Sequence, residues 1–265
     1  MSRLRGAFDR IRREHRPGLV AFVTAGDPSL EETGEIMRAI DGAGADVIEI
    51  GVPFSDPLAD GPVIQAASER ALRAGTTLAR TLALVAYARK GIAAPIVLFT
   101  YANPVLRMGE RAFTRAAADA GVDGVLMLDL PVEEAGPFND GLVEAGVDPI
   151  CLLSPTSTPS RVAAAAKAGR GFLYVISRMG VTGVRTEMAA GAGDLVARVR
   201  AATDLPIALG FGLSTPQHVR DACVHADAAV VGSALVQTIA DAGARGDDPA
   251  QAAGALVTWL RGAET

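Results

Sequence analysis

Cysteine is scarce in this 265-residue chain: Cys151 lies inside an apolar run and Cys223 in a helical stretch. With no CxxC pair and no histidine at metal-ligand spacing, they form neither a disulfide framework nor a metal site, and both read as core filler. No apolar run reaches the 18 residues of a membrane span and no signal-peptide core is present, so the expected location is the cytoplasm. A basic excess is missing as well. The 25 Lys+Arg against 30 Asp+Glu leave a net charge of −5, which argues against nucleic acid or an anionic membrane as the main partner. The three histidines, His15, His218 and His225, fall in helical stretches without HxxxH or Ser-His-Asp ordering, so they read as surface residues rather than metal ligands or a triad. Lys90 and Lys167 lie near helix ends, not on strands, which speaks against a Schiff-base aldolase. Aromatics are only 5%, but 49% hydrophobic and 21% charged residues exclude disorder and collagen-like repeats.

Glycine, by contrast, is plentiful: 29 residues, above the roughly 7% of average usage, which signals tight turns and close backbone approaches. Eight short runs, 19–23, 46–50, 95–99, 124–128, 149–153, 172–176, 206–209 and 228–231, are almost continuously hydrophobic. That is the pattern of parallel strands covered on both faces. Amphipathic stretches alternate with them, marked by Leu30, Met37 and Ile40, by Leu78, Leu82 and Val85, by Phe138 and Leu142, and by Leu195 and Val199. Glycine C-caps are expected in Gly42-Ala43-Gly44, Gly121-Val122-Asp123 and Gly146-Val147-Asp148, where AG-(V/A)-D forms a weak internal repeat. Leu4, Phe8 and Ile11 add an N-terminal helix. Eight βα units without a linker specify an α/β fold, a (β/α)8 TIM barrel forming one domain over 1–265. The spacing expands after strands two and six, predicting extended loops at 51–63 and 177–194 on the C-terminal face, where barrel enzymes keep their chemistry.

Two carboxylates stand out. Glu49 lies in the strand run 46–50, and so apolar a setting requires it to be paired, protonated or exposed at the barrel mouth. At the mouth, partial desolvation raises its pKa and suits it to general acid–base work, whereas deeper in it reads as a core carboxylate bonded to a neighbour. Asp60 precedes Gly61-Pro62, so it reads equally as a helix N-cap or as a second catalytic carboxylate carried back over the mouth by the expanded loop. The turns Gly210–Ser214 and Gly232–Ala234, after strands seven and eight, are glycine-rich strand-to-helix turns suited to a phosphorylated ligand. Ser214 and Ser233 read there as possible N-caps. No GxGxxG or P-loop lysine competes with this reading.

The motifs IEIGVPFSDPLADGPV (48–63), FVTAGDPS (22–29), TYANPVL (100–106), DLPVEEA (129–135), SRMGVTGV (177–184), GFGLST (210–215) and VGSAL (231–235) resemble those of the tryptophan synthase alpha subunit family, in order and over nearly the whole chain. The resemblance implies a (β/α)8 lyase that cleaves indole-3-glycerol phosphate to indole and glyceraldehyde 3-phosphate, with no cofactor or metal in this chain. It implies Glu49 as the acid–base carboxylate and Asp60 as the carboxylate facing the indole nitrogen. Phe22, Tyr174 and Phe211 are then placed near the substrate, Gly183, Gly212, Gly232 and Ser233 near its phosphate, and Thr182 on a closing loop. The implied partner is a beta subunit that carries pyridoxal phosphate, in an α2β2 complex, faced by loops at 56–59 and 103–106. A free-standing indole-3-glycerol phosphate lyase, or a silent phosphate-binding activator barrel, would share many of these motifs.

Overall fold

The computed structural model describes residues 2–176, 192–210 and 212–262. Its strands are β1 (Gly18–Thr24), β2 (Val47–Gly51), β3 (Ile96–Thr100), β4 (Gly124–Met127), β5 (Asp148–Leu153), β6 (Leu173–Ile176), β7 (Ile207–Gly210) and β8 (Ala228–Val231). Each pairs in parallel with the next, and β8 closes onto β1 to complete a TIM barrel. Every expected run falls on a strand to within one residue at each end, because strands buried on both faces need no polar alternation; all seven residues of β1 are buried.

The helices are α1 (Arg3–Arg13), α2 (Leu30–Gly42), α3 (Pro62–Arg73), α4 (Leu78–Ala88), α5 (Ala102–Met108), α6 (Glu110–Ala120), α7 (Gly136–Glu144), α8 (Pro159–Ala168), α9 (Ala192–Arg200), α10 (Pro216–Cys223), α11 (Ser233–Arg245) and α12 (Pro249–Leu260). One apolar layer packs them against the outside of the strands. A second fills the barrel, and Leu4, Phe8 and Ile11 of α1 close its lower end, with the Phe8 ring 5.2 Å from that of Phe172. The N-terminal helix is therefore a plug that leaves only the C-terminal mouth open.

Several local expectations are corrected. Residues 103–106 lie in α5 rather than a loop: Pro104 occupies the first helical turn, where a missing N–H costs nothing. Much of the extra length after β2 is a second helix, α4, beyond the loop at 52–61. Gly121 caps α6 in the left-handed region, whereas α2 and α7 end on Ala43 and Ala145, one residue before the positive-φ glycines Gly44 and Gly146. His15 and His225 follow the ends of α1 and α10 instead of lying within them, and Cys223 is only half-buried. The long loop expected after β6 falls, up to residue 191, outside the described residues.

The weak repeat acquires a structural meaning. Asp46, just before β2, accepts the N–H of Leu19 in β1, and Asp123 before β4 accepts that of Ile96 in β3. Asp227 does the same for Ile207 of β7. Each carboxylate ties the start of one strand to its neighbour on the face away from the mouth.

Candidate active site

Every strand, or the residue just past it, contributes to one cavity of ≈ 120 Å³ at the mouth: Phe22, Glu49, Phe99, Leu128, Leu152, Tyr174, Gly210 and Val230. The turns add Ala59, Asp60, Gly212, Gly232 and Ser233. Of the residues singled out from sequence, Phe22, Glu49, Asp60, Tyr174, Gly212, Gly232 and Ser233 thus share a single site. Thr182, Gly183 and Phe211 lie outside the described residues.

Glu49 is the third residue of β2 and 1% exposed, and its Oε1 has no hydrogen-bond partner among the described residues. The paired-core alternative is therefore not realised. Burial, reinforced by the charge of Asp60, pushes its carboxyl up to about 8, so at neutral pH it holds its proton. Asp60 is also buried, which raises it to about 6, although the Tyr101 hydroxyl holds it back by donating a 3.0 Å hydrogen bond to Oδ2. At neutral pH it is mainly ionised. Two carboxyl groups in one cavity are thus set to opposite protonation states, the arrangement by which a site divides acid and acceptor roles.

The loop delivers Asp60 because its end is held. Gln65 donates to the Asp60 carbonyl at 2.8 Å, and the Ala59 N–H donates to the Tyr101 hydroxyl at 3.2 Å. Gly61, not Asp60, is the N-cap of α3, which frees the carboxylate for the cavity. Tyr101 escaped the residue-level reading, although its position one past β3 in TYANPVL marked it as a mouth residue. Phe99, Leu128 and Leu152 were missed too, because inward apolar positions of a strand carry no separate signal.

Glycine makes room for the aromatic walls. A Cβ at Gly51 would stand 2.5 Å from the Phe22 ring, and one at Gly210 would stand 2.6 Å from the Tyr174 hydroxyl. Of the two glycine-rich turns, the first leads into a helix capped by the Thr215 side chain, not by Ser214. The second leads into α11, whose N-cap is Gly232 with no side-chain bond and whose first residue is the buried Ser233. The N–H groups of α11 are therefore not taken up by a capping side chain, and Gly232 and Ser233 line the same cavity as the carboxylates.

A closed parallel barrel with two oppositely set carboxyl groups and an uncapped helix start at its mouth defines a TIM-barrel enzyme equipped for acid–base chemistry on an anionic substrate. Residues 8–261 match the tryptophan synthase alpha chain family, and the chain belongs to that family. The tryptophan synthase alpha chain of Methylococcus capsulatus is 50% identical over 261 residues, covering 98% of this chain and 97% of its own. That of Solibacter usitatus is 48% identical over 239 residues, 90% of each. Among solved structures, Mycobacterium tuberculosis tryptophan synthase superposes with a TM-score of 0.90 at 39% identity, covering 99% of this chain and 98% of that one. The Legionella pneumophila alpha subunit gives 0.89 at 35% identity, with the same coverage. The family reaction is the cleavage of indole-3-glycerol phosphate in tryptophan biosynthesis, which makes the chain a carbon–carbon lyase, and the family's alpha chain needs no cofactor of its own.

Proposed function

We propose that Glu49 and Asp60 carry out this cleavage as a matched pair. Protonated Glu49 delivers its proton to indole C3, forming an indolenine-like cation whose positive charge gathers at the ring nitrogen. Ionised Asp60 accepts the hydrogen bond of that N–H and stabilises the cation as it forms. The Glu49 carboxylate then takes the proton of the hydroxyl next to the breaking bond. That oxygen becomes the aldehyde of glyceraldehyde 3-phosphate, the C–C electron pair returns to the ring, and indole leaves with its new C3 hydrogen. Glu49 ends as it began, so the cycle needs no other proton donor. The observation that carries the reading is that the two carboxyl groups share one buried cavity, Glu49 with an oxygen that has no partner among the described residues and Asp60 accepting the Tyr101 hydroxyl.

Phe22 and Tyr174 flank the ring, and Gly212, Gly232 and Ser233 receive the phosphate at the uncapped start of α11. The family resemblance assigns Phe211 to the substrate, Gly183 to its phosphate and Thr182 to a closing loop, all three outside the described residues. The chain acts as one domain in the cytoplasm and passes indole to a beta subunit, which holds pyridoxal phosphate, in an α2β2 complex. Leu58, 92% exposed on the loop at 52–61, and Leu106, 60% exposed on α5, support that docking face.

The test is indole release from indole-3-glycerol phosphate by the purified chain, alone and with a beta subunit. Glu49→Gln should lower kcat about 10²–10⁴-fold, the range of a lost acid–base group. Asp60→Asn should lose about 10²-fold or more as charge stabilisation disappears, and the beta subunit should accelerate the parent chain. An unchanged rate in Glu49→Gln would overturn the assignment.

A further inference from the structure

A second cavity lies next to the first. The register of β4 with β5 ends at the pair Leu126 and Ile150, although β5 runs on to Leu153. Past that pair a cavity of ≈ 250 Å³, about twice the volume of the carboxylate cavity, occupies the seam between residues 127–132 and 151–157. Val125, Ile150 and Phe138 give it apolar walls. Its polar rim holds Asp129, Asn139, Ser154, Ser157 and Arg161; the Ser154 N–H donates to the Ser157 hydroxyl at 3.0 Å, and Arg161 pairs with Glu133, which does not line the cavity. Leu128 and Leu152 line both cavities and are half-buried, so they form the partition.

The closed strand order puts β4 and β5 across the barrel from β8 and β1. On the reading proposed above, on which this inference rests, the phosphate sits at the β7 and β8 turns. The indole ring then reaches past Glu49 and Asp60 toward the partition. We propose that Leu128 and Leu152 limit the size of indole ring the enzyme accepts, and that the cavity behind them is an unused subsite for an apolar substituent on the benzo ring. Shortening either leucine joins the two spaces, and the apolar walls of the second suit a methyl or chloro group.

The experiment compares kcat/KM for indole-3-glycerol phosphate and for analogues carrying a methyl or chloro group at each benzo-ring carbon. It uses the parent chain, Leu128→Ala and Leu152→Ala, each with its beta subunit. For at least one analogue, the ratio of kcat/KM to that of the unsubstituted substrate should rise tenfold or more in an alanine variant, the change appearing mainly in KM. One or two methylene-sized groups in an apolar pocket carry discrimination of that order. Adding Ala135→Leu to Leu128→Ala fills the second cavity from its far side and should remove the gain, which a general loosening of the barrel would not do. If an alanine variant loses its native melting transition, Leu128→Val and Leu152→Val put the same question with a smaller volume change. Ratios equal to the parent's in every folded variant, with Glu49-dependent cleavage of the unsubstituted substrate intact, overturn the partition alone. No cleavage of that substrate by the parent chain overturns the proposed function and this inference together.

Discussion

Tyr101 shows how much one hydroxyl sets at this site. It donates to Asp60 and accepts from the Ala59 N–H, while its ring packs 4.9 Å from Phe54. Tyr101→Phe keeps that packing and removes both hydroxyl bonds, the one that favours ionised Asp60 and the one that accepts the Ala59 N–H. The Asp60 carboxyl, already raised to about 6, should therefore rise further, because a hydrogen bond to the charged form lowers a carboxyl pKa and its loss does the reverse. The acidic limb of kcat/KM should move to higher pH, so that activity falls several-fold at pH 6 and much less at pH 7.5. The basic limb, which reports Glu49 near 8, should stay within a few tenths of a unit, as pH–rate profiles of both proteins will show. A limb that does not move would mean that Tyr101 only packs.

At the scale of elements, the two ends of the barrel do different work. The mouth keeps a buried carboxyl without a partner, whereas on the opposite face Asp46, Asp123 and Asp227 are each bound to a backbone N–H and to arginine. Asp46, 2% exposed, accepts from Leu19 N–H, takes both Arg16 nitrogens at 2.7 and 2.8 Å, and meets Arg261 at 3.0 Å. It thereby links the segment after α1, the strands β1 and β2, and the segment after α12. Asp46→Ala leaves the buried Leu19 N–H without its acceptor and removes the carboxylate that Arg16 and Arg261 share, a loss of about 3–5 kcal/mol for one partner of a buried pair. Urea unfolding should show that loss, with the midpoint lowered and kcat of the surviving folded enzyme within about twofold of the parent. The sequence marked these aspartates only as a repeat, since their partners lie 27 or more residues away or on a neighbouring strand. Helix α5 was hidden for the opposite reason: its Asn-Pro pair carries a strong local loop signal, yet the Asp129 carboxylate, just past the neighbouring strand β4, accepts the Ala102 N–H at 2.6 Å at the start of the helix.

For the whole molecule, the exposed leucines and the catalytic loop belong to one connected surface. Leu58 sits two residues before Asp60, and α5, which carries Leu106, begins just after Tyr101. On the proposed function, a partner seated on this face would press on the same hydrogen bonds that hold Asp60, a physical route for activation. Leu58→Asp combined with Leu106→Asp should reduce the acceleration by the beta subunit at least tenfold and leave the rate of the isolated chain within about twofold. Titration of the indole-release rate with beta subunit measures both quantities, and full acceleration in the double variant would place the docking face elsewhere.

The eight strands, their order and the N-terminal helix were legible in the chain itself, because burial on both faces and helical spacing are properties of consecutive residues. Glu49 stood out as a carboxylate inside an apolar strand run, and Asp60 by its place at the end of the expanded loop, where it read equally as a helix N-cap. Their division of roles was not legible. It depends on burial, on the missing partner of Glu49 Oε1 and on the Tyr101 hydroxyl, and these arise only when closure of the barrel brings residues tens of positions apart into one cavity. The partition of Leu128 and Leu152 is of that kind too: nothing distinguishes a core leucine in sequence from one with a cavity on each side, because the empty space is created by where the strands stop pairing.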